Sequence, residues 1–136
     1  MKKIFALILG IVLILSLCSC SLKRYPTIEA EQVESIFLWE HTSCWEMDPD
    51  QSEKFLKLYN RSWYKGKGTG EGGTPGFGVK IHFVDGAVWY INDFQTMGRD
   101  FEVGLFEDDQ RKAWFYLNNQ ALLDYLIDDL GAGIID

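Results

Sequence analysis

The sequence predicts an α+β domain: an antiparallel sheet with two helices packed on one face, in the order β-α-β-β-β-β-α. Three observations carry this. Residues 77–92 alternate apolar and polar around an Asp-Gly pair, and residues 101–117 alternate again around an acidic turn. Two stretches, 50–63 and 119–130, space their large apolar residues as a helix does. Strands joined by short turns are antiparallel, and two amphipathic helices need an apolar sheet face to cover.

Thr27 to Gln32 is acidic and reads as a helical turn capped by Thr27. Val33 to Trp39 mixes apolar and aromatic residues suited to a pleated surface, a first strand. Asp48-Pro49-Asp50-Gln51 is a helix start: Asp48 caps, Pro49 takes the first helical position, and Gln51 completes a capping box. Phe55, Leu56, Leu58, Tyr59 and Trp63 then form the apolar stripe of a helix over 50–63, with Lys54, Lys57 and Arg61 on its wet side. Six of the eleven residues from Gly66 to Gly76 are Gly, which marks a loop.

In the next stretch Phe77, Val79, Ile81 and Phe83 alternate with Gly78, Lys80 and His82. Asp85-Gly86 reads as a two-residue type I′ turn with φ > 0 at both positions. That turn sets Phe83 opposite Val88 and Ile81 opposite Tyr90 on the core face. It sets His82 opposite Trp89 and Lys80 opposite Ile91 on the other face. A second hairpin runs through Phe101, Val103 and Leu105, turns at Glu107–Arg111, and returns through Ala113–Leu117. Asn118 or Asn119 caps a last helix carrying Leu122, Leu123, Leu126, Ile127 and Leu130, stopped by Gly131.

This order resembles the TATA-box-binding-protein-like topology, but none of that family's motifs is present. Thirteen Lys and Arg against twenty Asp and Glu give a net charge of −7, which argues against nucleic acid as a partner.

The chain opens Met1-Lys2-Lys3 and runs apolar from Ile4 to Leu17, broken by Gly10 and Ser16. Those fourteen residues would span about 21 Å as a helix, short of the ~30 Å hydrocarbon core. Leu17-Cys18-Ser19-Cys20 follows, and the whole resembles the bacterial lipoprotein signal with its lipobox. The resemblance implies a diacylglyceryl group on Cys20 and cleavage before it. It implies a signal peptide over 1–19, a lipidated tether over 20–26 and a single domain over 27–136, held on the extracytoplasmic face of the cell membrane. The rival is an uncleaved signal anchor flanked by Lys23-Arg24. Cleavage removes Lys2 and Lys3, so the mature charge is 11 − 20 = −9, and Cys44 becomes the one free thiol. The globular part resembles small uncharacterised domains on lipoproteins of low-GC Gram-positive bacteria.

Chemistry-bearing patterns are sparse. Three Cys and two His exclude a multi-Cys zinc module. His41 and Cys44, flanked by Glu40, Glu46 and Asp48, lack a second ligand pair; only His82 lies elsewhere. Gly68-x-Gly70-x-x-Gly73 follows a helix and precedes a strand, the reverse of a dinucleotide fingerprint. No metal or cofactor is therefore expected. Aromatic residues are 15% of the chain, and some lie at predicted loops or off the core face. Trp45, Tyr64, the 66–76 loop, His82 and Trp89 form the candidate binding surface. The expectation is a membrane-anchored, non-catalytic module that binds a protein or a cell-wall glycan. Its rivals are a cell-surface enzyme using Cys44 or a carboxylate pair, and a purely structural lipoprotein.

Overall fold

The alternating stretches pair into one seven-stranded sheet in the computed structural model, which describes residues 25–40, 43–68, 77–92, 100–108 and 110–132. The strands are β1 (Val33–Glu40), β2 (Ser43–Glu46), β3 (Trp63–Lys67), β4 (Phe77–Phe83), β5 (Val88–Asn92), β6 (Asp100–Glu107) and β7 (Gln110–Asn118). Their order is β2-β1-β4-β5-β6-β7-β3, and every pairing is antiparallel. Helix α1 spans Pro49–Tyr59; helix α2 spans Gln120–Asp124 and widens into a π-helical turn at Tyr125–Asp129. The α+β class and the antiparallel sheet hold. No helix among the described residues is long and apolar enough to cross a membrane. The signal and lipobox residues 1–20 lie outside the described residues.

The predicted element order lacks two strands, β2 and β3, which form the two edges of the sheet. An edge strand takes its hydrogen bonds from one neighbour and needs little apolar burial of its own, so its sequence carries a weak signal. β3 also shortens the predicted helix. α1 ends at Tyr59, and Trp63 is not on its apolar stripe but 77% exposed on the sheet edge. Lys65 sits where the β3–β7 register shifts, so a charge and a bulge blunt that edge.

The first hairpin departs from its predicted register by one residue. Its turn has three residues, with Phe83 N–H bonded to Ala87 O at 3.0 Å and Gly86 N–H to Phe83 O at 2.9 Å. Only Gly86 takes a positive φ, +90°. Asp85 stays out of that region, and its Oδ1 accepts the Ala87 N–H at 2.9 Å. Such a loop ends on a left-handed glycine, where the I′ turn needs two left-handed residues. The pairs become Ile81–Trp89, Val79–Ile91, Lys80–Tyr90 and His82–Val88. A one-residue slip exchanges faces. Trp89 and Ile91 therefore turn toward the helices, and Tyr90 and Val88 turn away.

One apolar cluster joins sheet to helices. Ile36, Leu38, Val79, Ile81, Ile91, Phe101, Val103, Phe115 and Leu117 meet Phe55, Leu56 and Tyr59 of α1 and Leu122, Tyr125 and Leu126 of the last helical segment. The other sheet face carries no described helix. The α1 capping box forms as predicted: Gln51 N–H donates to Asp48 Oδ1 at 2.8 Å and Asp48 N–H to Gln51 Oε1 at 2.9 Å. Asn119 is the second cap, and it does more than cap. Its Oδ1 accepts the Leu122 N–H at 3.0 Å, while Nδ2 donates to Leu58 O at 2.8 Å and Ser62 Oγ at 3.1 Å. One side chain thus closes the start of α2 and the end of α1. Asn119→Ala is expected to destabilise by about 2 kcal/mol: about 1 for the cap and about 1 for the abandoned Leu58 carbonyl. Urea unfolding measures it, and a loss no larger than a cap alone would show that the link to α1 contributes nothing.

The N-terminal segment is a further correction. Tyr25, read as tether, is 5% exposed, and Ile28 is also core. The Tyr25 hydroxyl donates to Ser62 O at 2.8 Å and lies 3.2 Å from Tyr59 O, while Tyr59 donates back to Pro26 O at 3.2 Å. Asn60 clamps Ile28 through both amide atoms, at 2.8 and 2.9 Å. The predicted Thr27-capped turn is a 3-10 turn at Ala30–Gln32, and Gln32 Oε1 accepts the Glu29 N–H at 3.1 Å.

These tyrosines make the fold sensitive to alkali. Burial, then the neighbouring Tyr25, holds the Tyr59 hydroxyl well above its usual value of 10.0. Burial raises Tyr25 against opposing hydrogen bonds to Ser62, and it raises Tyr125 with help from Asp129 and Asp48. Below the unfolded value near 10 both states keep the proton, and stability is unchanged. Above it the unfolded chain ionises first, so stability falls as pH climbs toward the folded values. Tyr59 alone contributes a slope of up to about 1.4 kcal/mol per pH unit. Tyrosinate absorbance should rise together with loss of the folded circular dichroism above pH ~10. Ionisation that completes before unfolding would contradict it.

Candidate functional site

The register of β4 to β7 decides which side chains line the helix-free face. Lys80 stands beside Tyr90, Tyr90 beside Gly104, and Gly104 beside Trp114. Tyr90 meets Phe106 edge-on at 5.4 Å between centroids, and Phe106 meets Trp114 edge-on at 6.2 Å. Cations flank both ends of this row: Lys80 Nζ lies 5.6 Å from the Tyr90 ring centre, and the Arg111 guanidinium 5.6 Å from that of Trp114. Lys80, Val88, Tyr90, Phe106, Asp108 and Trp114 border a hollow of about 670 Å³. That volume is within the range of small-ligand sites.

Three glycines let indoles lie flat on this face, and a Cβ on Gly68 would sit 2.1 Å from Trp114 Cδ1. A Cβ on Gly104 would sit 2.3 Å from Trp114 Cζ3, and one on Gly78 would sit 2.5 Å from Trp39 Cε2. The flat packing buries both indole nitrogens. Trp39 Nε1 and Trp114 Nε1 have no hydrogen-bond partner among the described residues, and neither has Glu102 Oε1. Glu102 is 1% exposed, between the inward-facing Phe101 and Val103, and its cross-strand neighbours are Tyr116 and Asn92. All three unpaired polar atoms thus belong to the helix-free face. Buried polar groups are nearly always paired, and each orphan costs roughly 1–3 kcal/mol.

At the hollow's rim the backbone is strained. Asp108, in the β6–β7 turn, has φ +50°, and no other described non-glycine residue has positive φ. Asp108→Gly should stabilise the fold by up to about 1 kcal/mol, since glycine adopts that region freely. The same change removes the one carboxylate that borders the hollow among the described residues. A thermal midpoint unchanged or lowered by this substitution would mean that Asp108 holds a compensating contact.

The sequence-derived surface does not assemble on one face. His82 lies on the helix-free face, edge-on to Phe37 at 5.5 Å. Trp89, expected opposite His82, instead packs against Phe83 at 4.5 Å on the helix side, where it borders a second hollow of about 480 Å³ with Pro26 and Val84. Trp45 pairs with Leu38 and Tyr64 with Leu117, and both pack against the core cluster. Residues 69–76 of the Gly-rich stretch and His41 lie outside the described residues. Cys44 is exposed on β2 and pairs with Trp39, which pairs with Gly78. Gly78 is four residues from His82 along β4, about 13 Å, so this thiol and this imidazole do not meet. No cluster of three or more His, Cys, Asp or Glu that could hold a metal occurs among the described residues. Sequence reasoning missed Tyr90, Phe106, Trp114 and Glu102. The signal available was the Gly104–Trp114 alternation, legible only once the hairpin register is right.

Fold and site together define an α+β domain with one helix-covered face and one aromatic face that carries no described helix. No family model, no curated protein and no solved structure matches this chain.

Proposed function

We propose that this chain is a lipid-anchored extracytoplasmic module that binds a partner on its helix-free sheet face without chemistry of its own. One observation carries the choice of face: the aromatic row belongs to it, and so do the three buried polar atoms that lack a partner among the described residues. Aromatic rings give a protein or sugar partner a broad contact at small entropic cost. Lys80, Arg111 and Asp108 supply polar contacts at the margin. The lipobox at Leu17–Cys20 supports the anchor, with Cys20 as the acylated residue.

The test is cross-linking of the full-length protein in its own cells, with mass spectrometry of what co-purifies and of the N-terminal peptide. One recurrent partner, protein or glycan, should be kept by Trp89→Phe and lost by Trp114→Ala. Equal recovery with both variants rejects this face. An unmodified Cys20 rejects the anchor separately.

A further inference from the structure

Cations are unevenly placed in this acidic chain. From Lys54 to Gly70 there are five Lys and Arg and no acid. Lys54 pairs with Asp129 at 2.5 Å. Lys57, Arg61, Lys65 and Lys67 are exposed and make no ion pair among the described residues. Between Arg61 and Lys65 in the chain stands Trp63, 77% exposed and more so than any other large apolar side chain described. Trp63 is thus a largely exposed indole within a run of cations along the chain. It suits a membrane interface, where Trp sits at headgroup depth and cations meet anionic lipid.

The entry of the chain lies beside this patch. The Tyr25 hydroxyl is 2.8 Å from the carbonyl of Ser62, the residue before Trp63. Four residues lie between Cys20 and Tyr25, a reach of at most about 18 Å, and two of them are Lys23 and Arg24. The register puts Trp63 opposite Asn118, whereas the aromatic hollow lies toward the Glu107–Gln110 end of β7. Trp114, the nearest wall of the hollow on β7, is four residues or about 13 Å from Asn118, and the Glu107–Gln110 turn is about 26 Å away.

We propose that the β3 edge docks on the bilayer that holds the anchor, Trp63 entering the interface and Lys57, Arg61, Lys65 and Lys67 meeting anionic phospholipid. This rests on the lipoprotein reading above. Docking by the Trp63–Asn118 end leaves the Glu107–Gln110 turn, at the far margin of the hollow, farther from the membrane than Trp114. A purely structural reading, in which Lys65 and Lys67 only guard a sheet edge, predicts no dependence on lipid charge.

The full-length protein is incorporated into vesicles of phosphatidylglycerol with phosphatidylcholine, or of phosphatidylcholine alone. Lipids brominated near the headgroup quench tryptophan, and the wild type minus Trp63→Phe isolates the Trp63 signal. Quenching of Trp63 is expected in the anionic vesicles and not in the neutral ones. It should fade as salt rises from ~0.1 to ~1 M and the screening length falls from about 10 to about 3 Å. Each cation near such a surface contributes about fivefold to the docked ratio. Replacing Arg61, Lys65 and Lys67 by Gln together should lower it about a hundredfold, which abolishes the signal. Equal quenching in both vesicles, or quenching indifferent to the triple substitution, overturns the docking. The mass of the N-terminal peptide reads the anchor independently: acylated Cys20 with unquenched Trp63 rejects this inference alone. A chain that is not acylated and does not join the vesicles rejects both.

Discussion

Gly104→Ala is expected to destabilise the domain by about 1–3 kcal/mol and to abolish partner recovery. The new methyl would lie 2.3 and 2.7 Å from Trp114 carbons and 3.0 Å from Phe106 Cε2. Real Cβ atoms do not approach that closely, so the indole must leave the sheet. Trp114 and Phe106 are two of the three rings in the row, and one methyl pressed against them therefore dismantles the surface without replacing any ring. For a domain near this size each 1 kcal/mol lowers the thermal midpoint by roughly 4–8 °C. A double-mutant cycle isolates the cause. In a Trp114→Ala background the methyl has room, and the penalty should shrink by more than 1 kcal/mol, beyond the ~0.5 kcal/mol seen for independent sites. Additive effects would sink the account of Gly104 as a seat for Trp114. Gly78→Ala should behave alike through Trp39, whose ring carbons lie 2.5 Å from the added atom.

Tyr59→Ala should cost more, about 3–5 kcal/mol, the range for deleting a buried aromatic ring. Tyr59 is 0% exposed, edge-on to Tyr25 at 5.8 Å and stacked with Phe55 at 6.4 Å. Its hydroxyl holds Pro26 and its own carbonyl accepts from Tyr25, so the ring joins α1 to the N-terminal segment. Set against a total stability of roughly 5–15 kcal/mol, the loss approaches unfolding. Tyr59→Phe keeps the ring and gives up one hydrogen bond, about 1 kcal/mol. Amide exchange at Ile28, whose N–H is bound to Asn60 Oδ1 at 2.9 Å, reports the local consequence. Exchange there should quicken far more in the Ala variant than in the Phe variant. Equal exchange in both would place the linkage in the hydroxyl and not in the packed ring.

Much of the fold is legible in the residues. Asp48-Pro49-Asp50-Gln51 starts a helix where it should because all its contacts lie within four residues. The capping bond from Leu122 N–H to Asn119 Oδ1 is equally local. Phe101, Val103 and Leu105 alternate with Glu102 and Gly104 as read, and the sheet follows that alternation. The candidate site is less legible. Trp89 and Tyr90 are adjacent, and which one faces the helices depends on a single residue in the turn before them. Asp85 satisfies the Ala87 N–H with its side chain and lengthens the loop to three. An Asp-Gly pair is compatible with either turn.

Trp63 and Tyr25 show the other limit. Trp63 continues the spacing of Phe55, Leu56 and Tyr59, but Asn60 is drawn to Ile28 and Asn119 reaches Leu58 and Ser62, so α1 ends first. Those partners lie 32 to 61 positions apart in the chain. Periodicity, capping and turn chemistry act over a few residues, and they are enough to place the helix starts, five of the strands and most of the core. The edges of the sheet, the face each aromatic presents and the hollow they border were decided only in the packed structure. There, hydrogen bonds between distant segments outweigh local preferences that differ by less than about 1 kcal/mol.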